Sequence, residues 1–357
     1  MWVTIKNVAS EAGVSIATVS RVLNNDSHRV AQKTREIVLK VAKDLDFRPS
    51  KLAVGLKSTR SAALGLIFPS FVAGTFYSEI FHAIEDEAAR NKYGIILGSS
   101  YGEASKERLL VDLLRERRVD GMIIIPSSPG VDLIYYQRLQ KEVPLIFVDR
   151  YFPQIDTDRV TTDNVKGAYI ATEHLIKLGH KRIAFLSGPE APCTSIYDRI
   201  DGYQKALDDY NIHFRKIIET KKDINKQKEC AYKAMKSFLR NGFEISAIFA
   251  VNDNVAIGAL RAIWEMGLRV PDDIAVVGYD DDEMGSFLPI PLTSIAQQKA
   301  RMGKLAVTLL LERIYRGRII SRHICLKPQL VIRSSCGARQ SLSRKYATEG
   351  SKRLKNK

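Results

Sequence analysis

Apolar positions recur at helical spacing in three short stretches of the first sixty residues. Ile5, Val8 and Ala9 form one stripe, Val19, Val22 and Leu23 a second, and Ile37, Val38, Val41, Ala42 and Leu45 a third. Between the first two lies Ala12-Gly13-Val14, where the glycine lets the chain reverse through a left-handed residue at little steric cost. Ser15 follows, an N-cap whose hydroxyl can satisfy an orphan amide of the next helix. The pattern predicts two helices joined by a tight turn, with Ile16, Ala17, Ser20 and Arg21 on the outward face of the second. This is a helix-turn-helix whose second helix suits a DNA major groove. A third helix should start near Gln32, weakly capped because Ala31 precedes it. Pro49 stops that helix. Residues 47–61 read as a hinge, in which Ser50 caps a turn or two of helix over Lys51–Leu56.

From Ala62 the texture changes. Short apolar runs at Leu64–Phe68, Ile95–Leu97, Met122–Ile125, Leu145–Val148, Ile183–Leu186, Ile248–Ala250, Ile274–Val277 and Thr293–Ile295 predict buried strands. Amphipathic patterns between them predict helices at Ser78–Asn91, Lys106–Arg118, Val165–Leu178, Asp201–Tyr210, Asn254–Met266 and Ala300–Tyr315. Strands alternating with helices give parallel sheets covered on both faces. The strands are too many for one sheet, so residues 62–337 are expected to form two doubly wound α/β lobes. The chain should pass between them near Pro153–Thr161 and again near Leu288–Ile295.

In open parallel sheets, ligands bind outside the carboxyl ends of the strands. That rule selects Phe76 and Tyr77, Asp149 and Arg150, Arg199 at the opening of a helix, Asn252 with Asp253, Asp280 and Gln297. Carboxylates and amides can bond vicinal hydroxyls, arginine forks span two oxygens, and aromatic faces cover a sugar ring. The set suits a polyol.

The strings V-S-I-A-T-V-S-R-V-L-N, K-T-R-E at Lys33–Glu36 and F-R-P-S-K-L-A-V-G-L at Phe47–Leu56 resemble the lactose-repressor/galactose-repressor family of bacterial transcription regulators. The resemblance covers roughly residues 3–333. It implies an all-α helix-turn-helix headpiece over 1–46 and a periplasmic-binding-protein-like effector domain. The frames T-F-Y-S-E-I, V-D-R, R-I-D-G-Y, N-D-N-V-A-I-G, V-G-Y-D and T-S-I-A-Q match family positions that contact effector or sugar. The implied function is repression of sugar-utilisation genes. A homodimer would bind a palindromic operator on double-stranded DNA, with a sugar as the small-molecule effector.

Arg21, Ile16 and Ala17 would face base edges, and Lys6, Lys33 and Arg35 phosphates. Thr4, Ser15, Thr18, Ser20 and Asn24 complete the implied DNA-facing set. Leu56 matches a leucine that wedges into the minor groove between paired hinge helices, and Ala53 the small residue where those helices approach. Val54 departs from the arginine often found there, and Gly55 lowers intrinsic helicity. Asp46 stands where relatives carry Gly or Asn, which tolerate a left-handed C′ position better.

Charge sharpens this picture. The 357 residues carry a net +15. Residues 1–60 contribute +6 and residues 338–357 another +6, which leaves only +3 for the 277 residues between. A basic excess over the helix-turn-helix points to a polyanion partner, while the C-terminal excess reads as a solvated, disordered tail without leucine heptads. Cys193, Cys230, Cys325 and Cys336 have no C-x-x-C spacing, which disfavours zinc and redox motifs. Asp280-Asp281-Asp282-Glu283 lacks nearby His or Cys, so no metal is expected. No nucleotide or hydrolase motif suggests an enzyme or cofactor. With no signal-type segment or membrane-length apolar run, the expected location is the cytoplasm.

Overall fold

The computed structural model describes residues 3–23, 30–47, 60–70, 75–127, 132–188, 193–221, 223–242 and 244–338. Asn24, Ala53, Leu56, the rest of the expected hinge helix and the chain from residue 339 lie outside the described residues. The chain divides into two compact units, Met1–Ser61 and the portion from Ala62 onward.

In the first unit, α1 (Ile5–Glu11), α2 (Ile16–Leu23) and α3 (Gln32–Asp44) enclose Val8, Ala9, Val19, Val22, Val38 and Ala42. Thr4 begins α1, its backbone N–H and its hydroxyl both donating to Asn7 Oδ1 at 2.9 and 2.6 Å. Gly13 takes φ +63° in the turn, and Ser15 Oγ accepts the Thr18 amide at 3.1 Å, capping α2. Ala31 gives α3 no side-chain cap. Asp46 adopts φ +43° after α3, its amide bonding Lys43 O. The third stripe needs one correction: Ile37 is exposed, because the core-facing side is made by Val38 and Ala42, with Val41 and Leu45 packed partly buried against it. Phe47, expected in the hinge, packs on this core.

The second unit contains two six-stranded sheets. The N-lobe sheet comprises β1 (Ala63–Phe68), β2 (Gly94–Ser99), β3 (Gly121–Ile124), β4 (Leu145–Val148), β5 (Asp158–Thr162) and β11 (His323–Leu326), in order β11-β5-β4-β3-β1-β2, all parallel. The C-lobe sheet comprises β6 (Ile183–Leu186), β7 (Lys216–Ile218), β8 (Ala247–Ala250), β9 (Ala275–Asp280), β10 (Thr293–Ala296) and β12 (Gln329–Val331). Its order is β12-β10-β9-β8-β6-β7, with only β12 antiparallel. Helices α4 (Thr75–Arg90), α5 (Ala104–Glu116), α6 (Leu133–Glu142) and α12 (Lys299–Arg316) serve the N-lobe. Helices α7 (Asn164–Lys177), α8 (Thr194–Asp209), α9 (Gln227–Arg240), α10 (Asp253–Glu265) and the short α11 (Glu283–Ser286) serve the C-lobe.

The chain changes lobe three times, not twice: between β5 and α7, between β10 and α12, and between β11 and β12. The first passage follows β5 instead of lying within 153–161, because Asp158–Thr162 is itself an N-lobe strand. Its polar residues are buried by specific bonding. Asp158 takes both forks of Arg313 at 2.8 and 3.2 Å, Arg318 Nη1 at 2.9 Å and the Arg322 amide at 2.7 Å. The second passage likewise follows Thr293–Ala296, a C-lobe strand. After it, α12 inserts Met302, Ala306, Val307 and Leu310 into the N-lobe core beside Leu64 and Ile80. At the far end Ala338, expected in the tail, packs in the C-lobe core.

Candidate nucleic-acid interface and interlobe pocket

On α2 the buried side is Val19 and Val22, and the amphipathic period turns Ile16, Ala17 and Arg21 to solvent. Ile16 is 45% exposed. Lys6 and Lys33 are exposed, while Arg35 and Ser20 are half-buried. Thr18 is also half-buried, its hydroxyl 2.9 Å from Ser15 Oγ, so both side chains build the helix start. The face thus offers a guanidinium and apolar atoms backed by hydroxyls.

The second candidate site lies between the lobes. Phe76, Tyr77, Asp149, Arg150, Arg199, Asn252 and Asp280 line one pocket with about 400 Å³ of empty space, open solvent included. They come from five separate segments, each at or just beyond the carboxyl end of a strand or in the helix that follows. Gln297 stands behind the lining and donates Nε2 to Asp280 Oδ1 at 2.7 Å. Of the nine residues the strand-end rule selected, seven line this pocket, Gln297 stands behind it and Asp253 is not in the lining. Arg199 nevertheless sits in the second turn of α8, which begins at Thr194 and not at Arg199.

Each lobe presents a carboxylate with an arginine. In the N-lobe, Arg150 Nε lies 3.4 Å from Asp149 Oδ2, and Tyr77 donates its hydroxyl to that same oxygen at 3.4 Å. Phe76 and Tyr77 meet edge to face, centroids 5.0 Å apart, and also belong to the lobe core. In the C-lobe, Arg199 Nη2 lies 3.7 Å from Asp280 Oδ1. Its other forks donate to Asn164 Oδ1 at 3.0 Å and Val251 O at 2.6 Å, and its plane sits 3.8 Å over the Tyr279 ring. This arginine is held on every side, which pre-orients its charge toward the pocket.

Asp149 and Asp280 both take positive φ, +63° and +104°. Such backbone strain in non-glycine residues concentrates where a side chain must be aimed. Burial pushes the Asp280 carboxyl up to about 7, against the pull of Arg199 and with the push of Asp282 and Asp149. Asp253, fully buried, is raised as well, first by burial and then by Asp280. It is not a pocket group: its oxygens accept the Ser294 hydroxyl and the Asp282 amide, both at 2.7 Å. Asn252 Oδ1 caps α10 through the Val255 amide at 2.9 Å, and its amide nitrogen donates to Gln227 Oε1 at 2.9 Å.

Sequence reasoning missed Ser195, Ile196, Val251 and Gly188 in the lining, and the supports Asn164, Gln227 and Tyr279. Asn164 follows β5, so the same rule would have chosen it had that polar strand been recognised. His174 and His180 take structural partners, Cys336 Sγ at 3.3 Å and Ser246 Oγ at 3.0 Å, and burial lowers both imidazoles. All four cysteines are free. Among the described residues no cluster of His, Cys, Asp and Glu could hold a metal ion, and no helix is long and apolar enough to cross a membrane.

Two sequence profiles match the chain. That of the bacterial regulatory proteins, lacI family, covers residues 4–50, and that of the periplasmic binding protein-like domain covers 172–336. The HTH-type transcriptional repressor PurR of Haemophilus influenzae (strain PittEE) is 34% identical over 335 residues, 93% of this chain and 98% of that protein. The chain belongs to the lacI family of bacterial regulatory proteins. It is a DNA-binding transcriptional repressor of that type. Among solved lacI-family structures, the Lac repressor dimer bound to operator and the anti-inducer ONPF is 31% identical with a TM-score of 0.82, over 94% of this chain and 99% of that one. A lacI-family regulator from Enterococcus faecium with bound ribose is 30% identical with a TM-score of 0.67, over 76% of this chain and 98% of that one.

Proposed function

We propose that this lacI-family repressor acts as a homodimer on a palindromic operator and takes a sugar as its effector in the interlobe pocket. The observation that carries the reading is the pocket itself: two carboxylate–arginine pairs, one per lobe, face each other with Phe76 and Tyr77 beside them. Carboxylates accept from hydroxyls and guanidinium forks donate to two oxygens, a pattern that vicinal diols satisfy. The ribose held by the Enterococcus faecium relative supports the same class. Arg21, Ile16 and Ala17 read the major groove, Lys6 and Lys33 engage phosphates, and Leu56 wedges into the minor groove. Effector binding closes the pocket, shifts the N-lobes of the dimer and alters the hinge over 47–61. The protein works in the cytoplasm, where its operator lies.

The test is binding of the full chain to a palindromic operator library, alone and with a panel of pentoses, hexoses, disaccharides and nucleobases. A shift of DNA affinity with one sugar supports the reading, and its direction separates inducer from corepressor. A shift only with a nucleobase overturns the sugar class, and no operator selection overturns the DNA assignment. Leu56→Ala should reduce operator bending and affinity; unchanged values would remove the wedge.

A further inference from the structure

Lys299 is a charged side chain in an unfavourable place. It is 6% exposed and begins α12, where the helix dipole is positive. Burying an ammonium there is costly unless it is paired. Its partners come from both lobes. Nζ lies 2.6 Å from Glu79 Oε1 on α4 of the N-lobe, and it donates to the Asp281 carbonyl at the end of β9 in the C-lobe at 3.2 Å.

The two partners adjoin the pocket. Glu79 lies two residues beyond Tyr77 on the helix that carries Phe76, and Asp281 directly follows Asp280. The lysine is aimed by backbone packing. Gly303, one turn further along α12, lets that helix press on α4, since an added Cβ would lie 2.5 Å from the Ile80 carbonyl oxygen. Asp281 is fixed in turn, its amide donating to Ser294 Oγ at 3.1 Å and its carboxylate 2.7 Å from Arg333 Nη1.

We propose that Lys299 is a cross-lobe latch, a positioning residue that holds the interlobe pocket closed by joining the Phe76–Tyr77 helix to the Asp280 loop. Opening the lobes separates Nζ from the Asp281 carbonyl while leaving the Glu79 pair inside the N-lobe. The bond to Asp281 therefore exists only in the closed form and biases closure. A hydrogen bond involving a charged group shifts such an equilibrium by about tenfold or more. The consequence for effector affinity rests on the pocket being the effector site; the bias on closure does not.

Hydrogen–deuterium exchange of the full-length protein without effector tests it. The Tyr151 amide crosses the lobes to Thr194 Oγ1 at 3.3 Å and lies on neither partner of Lys299, so its exchange reports opening. In Lys299→Met, a peptide spanning 149–153 should exchange about tenfold faster. Glu79→Gln, which leaves the lysine and its Asp281 bond in place, should change that peptide less. Faster exchange confined to 76–84, 281–282 and 299–306 would mark local loosening only and overturn the latch, as would wild-type exchange throughout.

Discussion

The recognition helix and the interlobe pocket use opposite chemistry. On α2 the candidate reading residues Ile16, Ala17 and Arg21 are exposed and lie within six consecutive positions, while the fold is held by Val19 and Val22 behind them. In the pocket the eight candidate ligand residues are themselves buried, four of them charged, and with Gln297 they come from six segments spread over more than 200 residues. Reading and folding are separable in the first region and joined in the second. A surface side chain away from caps and cores changes stability by only about 0.5 kcal/mol, whereas breaking a buried ion pair from one side costs about 3–5 kcal/mol.

Arg199→Ala tests this most severely. It removes the donors to Asn164 and Val251 O, uncovers Tyr279 and strands Asp280. We expect the effector unit to lose about 3 kcal/mol in urea unfolding and sugar binding to disappear from calorimetry. Lost binding with wild-type stability would separate the two properties in the pocket and break the contrast. Asp280 sharpens it through pH. Its carboxyl is raised in the folded protein to about 7 from an ordinary 3.8, so between those values the native state holds the proton that the unfolded chain has released. Its contribution to stability is present below about 4, falls as pH rises towards 7 and is constant above. Asp253 acts in the same direction. Between pH 4 and 8 this group therefore pulls urea midpoints down, while the lowered imidazoles of His174 and His180 push them up until about pH 6.5, and Asp280→Asn should remove part of the downward slope. An unchanged slope in the variant would place the proton elsewhere.

Arg21→Ala is the counterpart in the headpiece. Operator affinity should fall by about 1–3 kcal/mol if the guanidinium reads a base edge, with thermal unfolding of the headpiece within about 0.5 kcal/mol of wild type. Equal weakening on operator and random DNA would reassign it to the phosphate backbone.

The same contrast explains what the sequence disclosed. The headpiece was legible because its signals are local: the Gly13 turn, the Ser15 cap and the stripe on α2 each span a few residues. Central strands such as Leu145–Val148 announced themselves as apolar runs, and the strand-end rule then led to seven residues of the pocket lining. Polar or half-exposed strands stayed hidden. β5 buries Asp158 through arginines from residues 313 and 318, and β11 and β12 sit at sheet edges with exposed positions along them. Missing them put the lobe passages too early and lost the third. α9 was missed too, since its buried stripe of Ala231, Met235 and Phe238 is thin among five charged residues. Asn164 and Gln227 act through Arg199 and Asn252, and support at a distance leaves no local pattern.

Asp46 carries the smallest effect and the cleanest separation. It ends α3 at φ +43°, with its own amide bonding Lys43 O and the Phe47 amide bonding Ala42 O at 2.8 Å. A left-handed residue with a Cβ costs about 1–2 kcal/mol, less for Asp, whose side chain can bond locally. Glycine removes that strain but adds freedom to the unfolded chain, worth about 0.5–1 kcal/mol in the other direction. The balance favours Asp46→Gly by about 0.5 kcal/mol. The headpiece should melt slightly higher while operator affinity and its salt dependence stay unchanged, because Asp46 lies beyond α3 and outside the candidate reading set. A shift in operator affinity would show that the end of α3 takes part in DNA binding, and the separation of reading from folding would then fail in the headpiece as well.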